Sequence, residues 1–283
     1  MSKFVERYLR TVFRTIKRAK LVRNGDVVFV ALSGGKDSAS ALYTIKKYVE
    51  ENSIDCTIKG FHINLGLPIS KKVENTVKRQ TKLVDVELVI ADTNKLGISI
   101  LDIAKKSRRP ICSCCGIIKR YLMNKIPREL GANKLATGHH MDDFLVFFFK
   151  NVLGQNFFWI SKFRPFLKST HPKMLCRIRP LFEVGGKENR MFCNAVGMPF
   201  LKENFCPYTN SKYHVDMKRE KWYETIYSIE SWQKNFRRQM IRSIEKMSKY
   251  FEREEEVKTC KICGEPTNQE VCGFCKLVKL ANL

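Results

Sequence analysis

The sequence predicts an α/β fold built on a parallel sheet, with a small cysteine-rich module at its C-terminal end. Three observations carry this reading. Apolar strand-like runs alternate with helix-like stretches over roughly the first half of the chain. The first run, "DVVFVAL" (26–32), is continuously apolar and β-branched, as in a central strand covered on both faces. The last segment, 257–283, changes character and carries two C-x-x-C pairs.

Residues 3–23 read as a basic amphipathic helix, with Phe4, Val5, Leu9, Val12, Phe13 and Ile16 interleaved among cations. The strand at 26–32 follows, then "SGGKDS", then a helix to about Glu51. "CTIKGFHINL" (56–65) is a second strand, "KKVENTVKRQTKL" a second crossover helix and "DVELVIAD" (85–92) a third strand. "KLATG" (134–138) is a fourth strand and leads into an apolar helix from about Asp142. "FLVFFFKNVLGQNFFWI" (144–160) is too short and too polar in its middle for a membrane span, so a buried helix is expected. Residues 160–215 are irregular and contain five prolines. Residues 217–252 read as one long helix. The expected units are the basic helix 1–23, a main domain 24–215, a helical segment 216–256 and a separate knuckle 257–283.

The chain has 283 residues and is 44% hydrophobic, enough for one sizeable core and a small appended module. Lys and Arg number 52 against 28 Asp and Glu, a formal charge of +24 spread along the chain. Such a field attracts polyanions, and nucleic acid is the expected partner. The N-terminal segment lacks an apolar h-region, so no signal peptide is expected. Eleven cysteines in a cytoplasmic protein point to metal or redox chemistry and away from a secreted disulfide scaffold.

Ser33, Gly34, Gly35, Lys36, Asp37 and Ser38 sit where a strand turns into a helix. Two glycines let backbone amides close on a phosphate, the helix start adds a positive dipole end, and Lys36 adds a full charge. The pattern is not a Walker A loop. It resembles the SGG-x-D-S signature of the PP-loop ATP pyrophosphatase family, whose members cleave ATP between its α and β phosphates and adenylate an oxygen of the substrate. A second motif, "ATGHHMDD" (136–143), ends the fourth strand at the same sheet edge, where carboxylates can hold Mg²⁺ against pyrophosphate. The nucleotide-binding set expected from these motifs is Ser33, Gly34, Gly35, Lys36, Asp37, Ser38, His62, Gly138 and Asp143.

Cys112 and Cys115 form C-x-x-C at a helix start, and Lys119 shares a helix face with Cys115. Cys114 points elsewhere. With the distant Cys206 they make three thiolates, able to hold a 4Fe–4S cluster with one iron open, or to act as a redox pair with a resolving thiol. Cys260-x2-Cys263 and Cys272-x2-Cys275, with Gly264 and Gly273 beside them, match a four-cysteine zinc finger site. Cys56, Cys176 and Cys193 are read as buried packing residues.

The sequence of motifs resembles the tRNA 2-thiolation enzymes of the TtcA and TtuA type. It rests on the PP-loop, "CSCCGIIKR", "TGHHMDD", "FFFKNVLG", "RPL", "CPY" and the terminal "CKICG…CGFCK", which is similar to the finger of the TtuA group. The resemblance implies that Cys112, Cys115 and Cys206 hold an oxygen-sensitive 4Fe–4S cluster. It implies that Lys119 and one of Asp142 or Asp143 act in catalysis. It further implies ATP-dependent replacement of the C2 oxygen of a tRNA uridine by sulfur, with ATP, Mg²⁺, the cluster and Zn²⁺ as cofactors. The sulfur donor would be sulfide or a thiocarboxylated carrier protein, and a homodimer is expected from the same family. The TtuA group carries a further zinc finger ahead of the loop; here the basic helix 3–23 stands in that place. Lys17, Arg18, Lys20, Arg237, Arg238 and Arg242 are expected on the tRNA-binding surface. Competing readings are another PP-loop adenylating enzyme, a cluster-dependent desulfidase and a zinc-containing RNA-binding protein.

Overall fold

The computed structural model describes residues 2–202, 206, 208, 217–253 and 256–281. Helix α1 (Lys3–Arg18) precedes β1 (Asp26–Leu32), α2 (Lys36–Glu51) and β2 (Cys56–Asn64). Then come α3 (Ser70–Leu83), β3 (Glu87–Asp92), α4 (Ile100–Ser107), α5 (Ile111–Glu129), β4 (Lys134–Ala136) and α6 (Met141–Leu153). The strands β5 (Phe166–Leu167) and β6 (Cys176–Ile178) and the helices α7 (Gly186–Ala195), α8 (Met217–Trp232) and α9 (Phe236–Met247) follow. The chain closes with β7 (Lys258–Thr259), β8 (Pro266–Thr267) and α10 (Gly273–Leu280).

The sheet runs β3-β2-β1-β4-β6-β5. The first five of these strands pair parallel, and β5 closes the edge antiparallel to β6. All four expected strands are present. The two extra strands are two and three residues long, too short to leave a periodic signal.

Alternation along β1 sends side chains to two cores. Val28, Val30 and Leu32 pack with α1 and α2, while Phe29 packs with Phe61 and Leu135 on the α5 face. The amphipathic α1 buries Val5, Tyr8, Leu9, Val12 and Ile16, and it stops at Arg18, short of residue 23. A third core joins α6 to α8 and α9 through Phe144, Leu145, Ile226, Ile241 and Ile244.

The expected single helix over 217–252 is two helices, because the chain breaks at Asn235, whose φ is +64°. The apolar run 144–160 is helical only to Leu153. Beyond it, Phe157 and Trp159 lie in a 3₁₀ turn and are exposed. No helix among the described residues is long and apolar enough to cross a membrane. The C-terminal segment docks on the main body. Leu277 and Ala281 enter the core of α4 and α5, Phe274 stacks on Tyr121 at 4.0 Å, and Arg128 grips both oxygens of Glu265.

Candidate functional site

The strand order reverses direction between β1 and β4, and ligands of open α/β sheets sit at the carboxyl edge there. The Ser33–Ser38 loop leaves β1 at that edge. Gly34 adopts φ +76°, and its carbonyl is held by Leu201 N at 2.9 Å and Gln80 Nε2 at 3.3 Å. Ser38 Oγ caps the turn from inside, accepting from Ser33 N and donating to Gly35 O. Helix α2 then begins at Lys36 with Gly35 as its cap. Lys36 Nζ rests 2.8 Å from Asp37 Oδ2.

Gly138 lies against this loop. A Cβ there would fall 2.6 Å from Ser38 N, so only glycine lets the end of β4 approach α2 so closely. His140 Nε2 then comes 3.8 Å from Asp37 Oδ1 and 3.5 Å from Asp143 Oδ2. His62, from β2, is buried at the loop's base and its Nδ1 bonds the Leu32 carbonyl at 2.9 Å. Burial lowers its pKa, so the neutral ring leaves Nε2 as an acceptor, and that atom has no partner among the described residues.

The two aspartates are held differently. Asp142 is buried: Oδ1 takes Arg237 Nη1 at 3.0 Å, and Oδ2 takes Tyr227 Oη at 2.7 Å and Gly186 N at 2.9 Å. Asp143 Oδ1 takes Arg219 and Tyr223, while Oδ2 accepts from His140 N at 3.2 Å. Burial alone would raise the Asp143 carboxyl, but His140, Tyr223 and Arg219 outweigh it and hold the group below the usual range. Asp37 has a similar support: Asn189 Nδ2 donates to its Oδ1 at 2.8 Å, and Tyr8 Oη donates to Asn189 Oδ1 at 2.7 Å. Tyr8 also stacks on Phe192.

At the start of α5, Cys112 is exposed, Cys115 half-buried and Cys114 fully buried in the core. Cys206 is brought beside them. The charges of Cys206 and Cys112 act on Cys115, and Cys112 Sγ lies 3.8 Å from the Tyr208 carbonyl. Burial pushes the Cys115 thiol up, and a hydrogen bond and charge from Lys119 pull against it. The Lys119 charge also reaches His62, at the base of the nucleotide loop. Pro207 of the C-P-Y signature and the expected boundary at 215–216 lie outside the described residues.

Cys260, Cys263, Cys272 and Cys275 bring their sulfurs within 4.8 Å of one another, the one such group of ligand atoms among the described residues. Cys272 N donates to Cys260 Sγ at 3.2 Å and Cys275 N to Cys272 Sγ at 3.4 Å. Such amide donors stabilise thiolates, and the four sulfurs suit one tetrahedral ion.

Several expectations are corrected. Arg237 is buried among Asp142, Glu188 and Glu230, so it is no part of an RNA surface. Arg18 and Arg242 are exposed as expected, though they pair with Glu183, and Arg18 also with Glu245. Lys17, Lys20 and Arg238 are exposed as expected. Of Cys56, Cys176 and Cys193 only Cys193 is fully buried; the other two sit half-buried in strands. Tyr8, Asn189, Arg219, Tyr223 and Tyr227 escaped sequence reasoning, as did the internal role of Arg237. The doublet Gly185–Gly186 was the available signal, since a Cβ at Gly185 would collide with Arg237, Glu188 and Asp142.

A PP-loop nucleotide site joined to a cysteine-bearing helix and a four-cysteine module defines the class of protein. The family model described as a PP-loop domain matches residues 5–210. The chain is 37% identical over 278 residues to a tRNA-5-methyluridine(54) 2-sulfurtransferase of Pyrococcus horikoshii, covering 96% of this chain and 85% of that protein. A protein of the same description from Thermotoga maritima is 29% identical over 98% of this chain and 88% of its own length. The fold matches the U34-tRNA thiolase NcsA of Methanococcus maripaludis, a structure described with its [4Fe-4S] cluster. There the TM-score is 0.77 at 23% identity, covering 98% of this chain and 87% of that one. The chain belongs to the PP-loop tRNA 2-sulfurtransferase family.

Proposed function

We propose that this chain is an ATP-dependent tRNA 2-sulfurtransferase acting on a uridine. One juxtaposition carries the reading: Lys119 bonds Cys115, beside Cys112 and Cys206, and its charge is also felt by His62 at the base of the nucleotide loop. Activation and sulfur delivery can therefore meet at one substrate atom. The C2 oxygen of the base attacks the α-phosphorus of ATP, the bond to the β-phosphate oxygen breaks, and pyrophosphate leaves. Sulfide then attacks C2, the C–O bond breaks, and AMP departs with the oxygen.

The loop amides, Lys36 and Mg²⁺ near Asp37 or Asp143 would stabilise charge on the departing pyrophosphate. Lys119 would hold the activated oxygen or the sulfide by charge. Asp142, enclosed by Arg237 and Tyr227, serves to position the start of α6. A 4Fe–4S cluster held by Cys112, Cys115 and Cys206 would supply an open coordination position for sulfide. Zn²⁺ on the four-cysteine group would be structural. Uridine is favoured over cytidine because the Pyrococcus and Thermotoga relatives are 5-methyluridine 2-sulfurtransferases.

The test is anaerobic incubation with ATP, a sulfide or thiocarboxylated-protein donor and unmodified tRNA, followed by nucleoside mass analysis. 2-Thiouridine, absent when Cys112→Ala is used, is expected. No thiolated nucleoside under conditions in which AMP and pyrophosphate still form would refute the reading.

A further inference from the structure

A cavity of about 310 Å³ lies between α5 and the C-terminal four-cysteine module, away from the nucleotide loop. Its walls include Arg120, Tyr121, Arg177, Glu265, Asn268 and Phe274. Arg177 is half-buried, on β6, and Arg120 is exposed, on α5. Burial is the main penalty on the Arg177 charge, and the like charge of Arg120 adds to it. Among the described residues neither makes a hydrogen bond or an ion pair. The one acid in the wall, Glu265, has both oxygens committed to Arg128.

Two like charges facing one space, with no uncommitted carboxylate in its walls, attract an anion between them. Guanidinium forks suit phosphate oxygens in particular. The side of the sheet narrows the source. Ile178 of β6 packs with the α1–α2 core, so its neighbour Arg177 projects to the opposite, α5 face. The phosphate loop feeds α2, which belongs to the first face. Lys119 adjoins Arg120 in sequence, and the Arg177 charge reaches His139 in the second motif. The cavity is therefore beside the reacting edge without being the nucleotide's own site.

We propose that Arg120 and Arg177 grip a backbone phosphate of the RNA substrate, so that the four-cysteine module and α5 together clamp the strand near the target base. This rests on the tRNA-directed reading above and adds a site to it. The cavity has room for a ribose-phosphate unit, and the module's Asn268 offers a neutral hydrogen-bonding wall.

The test measures binding of unmodified tRNA to the full chain across salt concentrations, for wild type, Arg177→Gln, Arg177→Lys and Arg120→Gln. ATP binding and zinc content are followed in parallel. Each Gln variant should weaken tRNA binding roughly tenfold and reduce the salt slope by about one, while Arg177→Lys keeps most of the slope. ATP affinity and zinc content should not change. An unchanged slope in both Gln variants of an enzyme that still thiolates would overturn the proposal and spare the function. Loss of ATP affinity would assign the pair to the nucleotide, and loss of zinc would assign it to the charge of the four thiolates; either overturns it. Wild-type binding without thiolation would sink the function reading and leave the clamp standing. A wild type that binds no tRNA would overturn both.

Discussion

Replacing Arg237 with Met tests whether the buried ion pair beneath α6 holds the acidic edge in place. Asp142 loses the 3.0 Å contact to Arg237 Nη1, while its side chain stays 2% exposed. Uncoupling a buried pair by removing one partner costs about 3–5 kcal/mol. Here two neutral donors remain on Asp142, Tyr227 Oη and Gly186 N, and Glu188 is 30% exposed and can rehydrate. The lower end, about 3 kcal/mol, is therefore expected. For a domain of this size that corresponds to a fall in Tm of roughly 5 °C. The assay is thermal unfolding by circular dichroism, with Asp142→Asn and the double variant alongside. Coupling should return about 1–3 kcal/mol in the double variant. A Tm within about 3 °C of wild type, or strict additivity, would refute the view that this pair organises the start of α6.

Gly138→Ala drives a methyl into Ser38 N and should cut nucleotide turnover about 100-fold with the fold retained, measured as ATP-dependent AMP formation. Wild-type turnover would show that the loop tolerates the shift. Tyr8→Phe leaves the buried Asn189 Oδ1 without its donor and loosens Asp37, so it should cost about 1–2 kcal/mol in urea unfolding and raise the KM for ATP more than it lowers kcat. An unchanged KM would argue against the brace. Glu183 is buried, which alone would raise its pKa, but Arg242, Arg14 and Arg18 outweigh burial and hold it below the usual value. Its contribution is then present above the unfolded pKa, near about 4.3, and is lost as pH falls below that value. In Glu183→Gln the urea midpoint should fall less steeply than in wild type as pH drops from about 5 to 3; parallel curves would contradict this.

Features that depend on neighbours in the chain were legible without coordinates. The strand 26–32 and its loop follow from an apolar run and a Gly-Gly turn within a dozen residues. The four-cysteine group follows from two short spacings, because ligands three positions apart on a tight turn already share a direction. Lys119 beside Cys115 follows from helical pitch. The strands β5 and β6 escaped because two or three residues carry no period, and their pairing comes from the sheet edge they meet. The break between α8 and α9 escaped because Asn235 adopts a left-handed conformation that a smooth amphipathic pattern conceals.

Charge was misread for a physical reason. Arg237 looks like any surface cation in the run "NFRRQM", and what makes it internal is Asp142, 95 residues earlier. Likewise Tyr8 and Asp37 meet only through Asn189, and the unanswered pair Arg120–Arg177 exists only once β6 lies beneath α5. Residue types and short spacings determined which chemistry this chain can perform, since phosphate loops and thiolate sites are built locally. Which acids are supported, which cations are spent internally and which remain to meet a ligand was decided by tertiary packing, because electrostatic partners act through space and burial, to which chain distance is blind.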